Sequence, residues 1–564
     1  MVVLALVVGL AGGYGAVVFR YLINLFQSLS YGSDGNLIEL LQATPWYIKA
    51  WIPILGGLVV GPLVFFVAGE AKGHGVPEVM EAVALKGGII RKRIVLIKTF
   101  ASAVCIGTGG SVGREGPIVQ IGAAIGSTLG QALKVSADRM RTLVGCGAAA
   151  GIAATFNAPI AGCMFALEII LGDFALATFS PIVISSVTAT AVSRYLLGNN
   201  PAFIVPEYKL ISVWEFPMYF VLGLFCALVG VFFTRSLYRT EDFFEALKFP
   251  EYFKAGLGGA ALGLMGLLFP HVLGVGYEAI ELALDHTLAW WFMLLLILFK
   301  TLGTSITIGS GGSGGIFAPS LFLGAMAGGF FGVVVHTLFP EIAAFPGAYS
   351  IVGMGAVVSA TTHGPLTAIL MLFEMTGNYR IILPLMVTCI VSSLAARQLY
   401  RESIYTLKLS RRGVDIWAGR EVNILKSIRV KDVMNPNVET IPEFLSLEKL
   451  AGKISQSKYN TFPVVNNQGK MTGILSFMDY SDVMMDENIK DLVIAQDLAT
   501  TEVVTVSLDD NLFEALEKIT FKDFSILPVV SPDDPSELVG VLTRRDIIGA
   551  YDKAVIKKSL FQGT

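Results

Sequence analysis

The sequence predicts an all-α membrane domain built from two related halves, followed by a small soluble α/β tail. Three observations carry that prediction. Hydrophobic residues make up 54% of the 564-residue chain and charged residues only 15%, against about 25% charged in soluble domains. The charges are uneven: of 85 Asp, Glu, Lys and Arg, 37 lie in residues 421–564 and 48 in the first 420. Apolar segments broken by Gly and Pro also occur twice, once in each half of the apolar region. This composition excludes a soluble enzyme and a disordered chain. A net charge of −3 gives no electrostatic reason to expect a nucleic-acid partner.

Taken in order, Met1 to about Phe26 reads as a membrane helix, not a cleaved leader, because it lacks a basic start and a cleavage site. Further apolar runs at 51–68, 212–233, 255–274, 289–308, 321–338 and 381–400 approach the roughly 20 residues of a spanning helix. Between them lie short broken stretches at 103–113, 145–165, 309–324 and 353–373. Such stretches are tolerated at membrane depth only where protein or a cavity surrounds them. Lys86, Arg91, Lys92, Arg93, Lys98, Lys134, Arg139, Arg141, Arg401, Lys408, Arg411 and Arg412 are expected on the cytoplasmic side, with the tail. The five cysteines sit in apolar stretches without metal-site spacing, so neither a disulfide framework nor a metal site is expected.

The repeat is explicit. GTGGSVGREGPIVQIGAAIG at 107–126 parallels GSGGSGGIFAPSLFLGAMAG at 309–328, and AATFNAPIAGCMFALE at 153–168 parallels SATTHGPLTAILMLFE at 359–374. Duplicated broken helices of this kind point to a transport site at the repeat interface. Ser111 and Ser313 fall in GxSxG patterns and Gly309, Gly311 and Gly314 in GxGxxG. No strand–turn–helix context supports a hydrolase or dinucleotide site there, and Gly-rich helix starts explain both. His363, matching Asn157, is expected to be a helix-start cap or packing residue. Glu168 and Glu374 are expected to partner backbone or basic groups.

In GREGP, Gly113 to Pro117, a carboxylate stands in an apolar segment, where it is costly without a role. Pro117 suits a first helical turn, whose free amides attract anions. Glu115 is therefore a tethered anion beside an anion site. Gly315-Ile316-Phe317-Ala318-Pro319 repeats the geometry without the carboxylate, and Gly73-His74-Gly75-Val76-Pro77 is a third such start. Three helix starts aimed at one point bind an anion without a full positive charge, weakly enough for release.

These motifs, in this order and inside duplicated halves, resemble the CLC family of chloride channels and chloride/proton antiporters. The resemblance implies a CLC-type all-α inverted-repeat membrane fold, a homodimer in the lipid bilayer, and chloride or another small anion as cargo. It implies Glu115 as gating glutamate. It also implies an anion path lined by His74, Gly75, Arg114, Glu115, Gly116, Ile316, Phe317 and Tyr405. His74 stands where the family commonly has serine. Ile169 stands where proton-coupled members commonly place an inner glutamate, with Glu168 one residue away. An aliphatic residue there resembles the channel members, so the expectation is gated passive chloride conduction, with chloride/proton antiport as the alternative. A fluoride exporter and a membrane-anchored nucleotide sensor are the remaining readings.

The tail repeats as well: 431–479 parallels 496–546, with β-rich TFPVV and SILPVV in matching places. It resembles a cytosolic CBS domain pair. Ser476 and Asp479, and Thr543 and Asp546, share a G-h-h-S/T-x-x-D pattern that resembles the family's adenine-nucleotide motif, implying ATP, ADP or AMP as ligand. The expected organisation is a transmembrane domain at 1–412 (repeats about 1–205 and 210–405), a linker at 413–428, and CBS repeats at 429–485 and 493–558. The stretch from Thr406 to Arg429 has no Gly/Ser-rich linker, so tail rotation is expected to pull on the segment bearing Tyr405.

Overall fold

Apolar runs cut by Gly and Pro give helices of two lengths. The first half holds α1 (Val2–Tyr31), α2 (Leu37–Ala43), α3 (Trp46–Val67), α4 (Val76–Leu85), α5 (Arg93–Gly107), α6 (Glu115–Ala132), α7 (Ala137–Phe156), α8 (Pro159–Met164) and α9 (Leu176–Leu197). The second holds α10 (Glu215–Ala246), α11 (Glu251–Leu268), α12 (Tyr277–Leu284), α13 (Trp290–Gly309), α14 (Phe317–Leu338), α15 (Pro346–Thr362), α16 (Pro365–Thr376), α17 (Ile382–Leu399) and α18 (Thr406–Arg411). This computed structural model describes residues 1–33, 35–199, 203, 205, 211–414, 425, 426, 428–457, 459–484, 492–522 and 524–560. The chain divides into two units, Met1–Arg412 and Gly413–Thr564. Most of the expected linker, and the boundary between the repeats at 206–210, lie outside the described residues.

Seven helical stretches among the described residues are long and apolar enough to cross a bilayer. One of them, α9, is absent from the apolar runs read in the sequence because Ser and Thr dilute it. Those hydroxyls serve packing: Ser185, Ser186 and Ser193 donate to the carbonyls of Cys146, Pro159 and Ala154. The expected run at 255–274 is α11, which stops at Leu268 before Pro270.

The duplicated glycines mark helix crossings. A Cβ on Gly122 of α6 would strike the Gly147 carbonyl of α7, and one on Gly147 would strike that of Gly122. Gly324 of α14 and Gly353 of α15 stand in the same reciprocal relation. Small residues at both crossings let backbones meet where lipid provides no hydrophobic drive.

Two glutamates tie the halves together. Glu168 accepts from the Leu366 amide (3.1 Å) and from the Thr367 amide (2.7 Å) and hydroxyl (2.6 Å), capping α16. Glu374 accepts from the Ile160 and Ala161 amides (3.0 and 2.7 Å), capping α8. Each half thus supplies a carboxylate to orphan helix-start amides of the other. The expectation for His363 needs correction: it ends α15 in a left-handed conformation (φ 57°), as Asn157 ends α7 (φ 58°). Arg397 donates to the His363 carbonyl.

Lys98 also needs correction. It is not a loop charge at the membrane surface but a fully buried residue of α5. Its ammonium donates to the Ala71 and Gly73 carbonyls (2.9 and 2.8 Å). Periodicity could not separate it from its basic neighbours, because burial is decided by what α5 packs against.

The tail unit carries two three-stranded sheets, β1 (Ile441–Pro442), β2 (Thr461–Val465) and β3 (Met471–Ser476), then β4 (Val506–Ser507), β5 (Ile526–Val530) and β6 (Leu538–Thr543). In each, the first pair is parallel and the second antiparallel. Each repeat has its own core, one around Phe462, Val464 and Leu475, the other around Leu527, Val529 and Leu542. The Met471 amide donates to Ser536 O, and Lys470 pairs with Asp534 at 2.7 Å. That pairing holds the Asp534 carboxyl below the usual carboxylate range.

Candidate anion site

Three Gly-rich loops are laced at the centre of the membrane unit. Gly113 and Gly315 exchange amide-to-carbonyl bonds in both directions (2.7 and 2.6 Å), and the Gly73 amide donates to Gly312 O (3.1 Å). The starts of α4, α6 and α14 are thereby brought together. The close approach requires glycine: Gly75 has φ 82°, and a Cβ on Gly116 would strike the His74 carbonyl.

Two buried lysines set the loops, one from each half. Lys98 holds the 71–73 loop, and Ser313 adds a bond to Ala71 O (2.9 Å). Lys300 of α13 donates to Val272 and Gly274 O (3.0 and 2.9 Å), and Ser111 adds a bond to Val272 O (2.8 Å). A buried ammonium is tolerable only with such acceptors. Each serine of the two GxSxG patterns therefore secures the other half's loop.

This symmetry exposes a fourth helix start. Gly274-Val275-Gly276-Tyr277 before α12 is the counterpart of Gly73-His74-Gly75-Val76 before α4, with Glu278 in the place of Pro77. Without its proline the motif went unread in the sequence, although the 201-residue spacing was available.

Glu115 is 1% exposed. Its Oε1 accepts from the Tyr277 hydroxyl (2.8 Å) and its Oε2 from the Ala318 amide (3.3 Å). The carboxylate sits across the first turn of α14, where an anion would meet unpaired helix-start amides. Arg114 immediately precedes it, with its guanidinium 5.2 Å from the centre of the Tyr277 ring. Ala318 and Tyr277 are the contacts that the sequence reading missed.

Ile316 and Phe317 begin α14 and are buried. Tyr405 is buried as well, and its ring lies 5.7 Å from that of His74. Its segment is held by Ile404, whose amide donates to Thr361 O and whose carbonyl accepts from Tyr238 (both bonds at or below 2.8 Å). His74 is 2% exposed, and its Nδ1 has no hydrogen-bond partner among the described residues. Gly75 and Gly116 lie at the loop crossing. The structure thus brings the starts of α4, α6 and α14 together and sets His74 beside Tyr405. Ile169 is buried in a π-helical turn, Phe165–Leu171, with the Glu168 cap beside it.

In the tail unit each hydroxyl–carboxylate pair closes on itself. The Ser476 amide and hydroxyl donate to Asp479 Oδ2 (2.8 and 2.7 Å), and Thr543 bonds Asp546 Oδ2 likewise (2.9 and 2.6 Å). The return bond from each aspartate amide to the hydroxyl caps α19 (Phe477–Met484) and α20 (Arg544–Leu560).

Helix starts from both halves of a duplicated membrane bundle, converging on one buried carboxylate, are the arrangement of an anion-transport protein. The family model "Voltage gated chloride channel" matches residues 56–397, and the CBS domain model matches 430–486 and 494–553. The chain belongs to the CLC chloride channel and transporter family, with a C-terminal CBS pair. It is 36% identical to a "ClcB-like" chloride channel protein of Ralstonia nicotianae over 74% of this chain and 98% of that one. It is 32% identical to an H(+)/Cl(-) exchange transporter ClcA of Salmonella arizonae, over 73% and 88%. A solved slow cyanobacterial Cl-/H+ antiporter superposes with a TM-score of 0.67 at 31% identity, covering 73% of this chain and 97% of that one. The protein is a multi-pass integral membrane protein.

Proposed function

We propose that this protein exchanges chloride for protons across the membrane as a homodimer, with one pathway per subunit and the tail in the cytoplasm. The observation that carries the reading is Glu115 seated as an anion on the Ala318 amide and Tyr277 hydroxyl. A carboxylate occupying an anion's seat leaves it when protonated, so one residue couples the two ions. Exchangers among the relatives and solved neighbours favour this over the passive conduction expected from Ile169. Glu168 is committed to capping α16, so the inner half of the proton path runs without a carboxylate at 168 or 169, and coupling is loose. In reconstituted protein under combined chloride and pH gradients, the reversal potential is expected to depart from the chloride equilibrium potential toward that of protons. Reversal at the chloride potential, whatever the pH gradient, would establish the second reading, a passive channel, which Ile169 favours.

His74, Gly75, Arg114, Gly116, Ile316, Phe317 and Tyr405 line the anion path in this reading. The CBS pair binds an adenine nucleotide, ATP, ADP or AMP, with Ser476 and Thr543 toward phosphate and Asp479 and Asp546 toward ribose. The ligand must then draw the hydroxyl–carboxylate pairs open. Calorimetry on the full chain is expected to show binding that Asp546→Ala weakens at least tenfold, a loss of about 1.4 kcal/mol. No heat with any of the three nucleotides would leave the tail a structural module.

A further inference from the structure

The gate's second contact comes from an element that the family's duplicated motifs do not include. Tyr277 opens α12, the second-half counterpart of α4, and is presented by the loop that Lys300 and Ser111 hold. Its ring is fixed from two sides, by the Arg114 guanidinium at 5.2 Å and edge-on by Phe203 at 5.4 Å. Its hydroxyl donates to Glu115 Oε1 at 2.8 Å, and the Arg114 side chain hydrogen-bonds the same group. The opposite carboxylate oxygen accepts a longer bond, from the Ala318 amide at 3.3 Å.

We infer that Tyr277 is the clasp of the outer gate: its hydroxyl holds the Glu115 carboxylate in the anion's seat, and so sets the proton and chloride concentrations at which the gate leaves. This rests on Glu115 being the gate. Chloride or a proton must displace a carboxylate to which both Tyr277 and Ala318 donate, and the tyrosine bond is the shorter of the two. A donor to the charged form favours that form. Losing it makes protonation easier and raises the pH at which the gate opens. It also lowers the chloride concentration needed to displace the side chain. The other charged or titratable groups facing Glu115 are Arg114 beside it, Lys300 from α13 and Tyr405 before α18. Arg20 of α1 faces Arg114 and Tyr277. Removing the hydroxyl also takes a hydrogen-bond partner from Arg114, so the clasp is read from opposite shifts in Tyr277→Phe and in a 3-fluorotyrosine form, which keeps the hydroxyl.

The test is chloride efflux from liposomes holding full-length protein, followed across pH and chloride concentration. Tyr277→Phe keeps the ring under Arg114. It is expected to move the pH midpoint of efflux upward by about one unit and to reduce the chloride needed for half-maximal flux. In a Glu115→Gln background the same change is expected to do nothing. Incorporating 3-fluorotyrosine at 277 makes the hydroxyl a stronger donor and moves the midpoint downward, which also answers the case in which Tyr277→Phe does not assemble. An unmoved midpoint in Tyr277→Phe, with pH dependence lost in Glu115→Gln, overturns the clasp and leaves the gate standing. An equal shift in both backgrounds also overturns the clasp. Persistent pH dependence in Glu115→Gln overturns the gate itself, and the clasp with it.

Discussion

Glu115→Gln is expected to carry chloride at a rate that no longer follows pH, the ratio of acid to neutral flux falling to about one because an amide does not titrate in this range. The seat explains why the change is large. In the native protein a charged acceptor meets the Tyr277 hydroxyl and the Ala318 amide. Hydrogen bonds to charged groups contribute roughly 1.5–3 kcal/mol, and neutral ones roughly 0.5–1.5. Removing the charge therefore weakens each bond by about 1 kcal/mol, and the two together favour departure from the seat by more than about tenfold. The amide's N–H₂ end also turns donors toward donors. The variant should conduct chloride persistently and lose proton exchange. Liposome efflux at acid and neutral pH, with proton movement followed by a dye, checks both. Native pH dependence in this variant would remove Glu115 from the gate.

Lys98→Met and Lys300→Met are expected to cost about 1–3 kcal/mol each, from a buried carbonyl left short of a donor, with Lys300→Met at the upper end. The cost is moderated because the ammonium's own desolvation is relieved. Ser313 and Ser111 still serve Ala71 and Val272, and the Gly314 amide still reaches the Gly73 carbonyl at 3.4 Å, so the Gly274 carbonyl bears the larger loss. The functional effects should differ. Lys98 sets the loop that carries His74, so its variant should weaken anion binding. Lys300 sets the loop that carries Tyr277, so its variant should loosen the gate and raise the pH of opening. Thermal unfolding in detergent reads the first quantity, and chloride calorimetry with the efflux pH profile separates the two loops. Unchanged melting in both variants would mean that these ammonium groups do not support the loops.

Much of this architecture was legible because repetition is a property of sequence. The paired segments at 107–126 and 309–328 located the starts of α6 and α14, and proline at the third position of each helix marked where amides are left free. TFPVV and SILPVV marked β2 and β5 because β-branched runs bounded by polar residues read as strands. Helix α9 was hidden by its own hydroxyls, which count as polar in a sequence but are satisfied by neighbouring carbonyls in the bundle.

By itself the sequence determined the membrane class, the two halves, the tail repeats and the candidate gate, since composition, periodicity and a carboxylate among glycines are local properties. Only the tertiary structure decided what meets the gate. Tyr277 is 162 residues from Glu115 and Ala318 is 203 away, and no local pattern specifies a contact across such a distance. The same holds for the exchange of Glu168 and Glu374 between halves, and for Lys98 and Lys300. A charged side chain is placed by the carbonyls it must satisfy, and these come together only when the two repeats pack against each other.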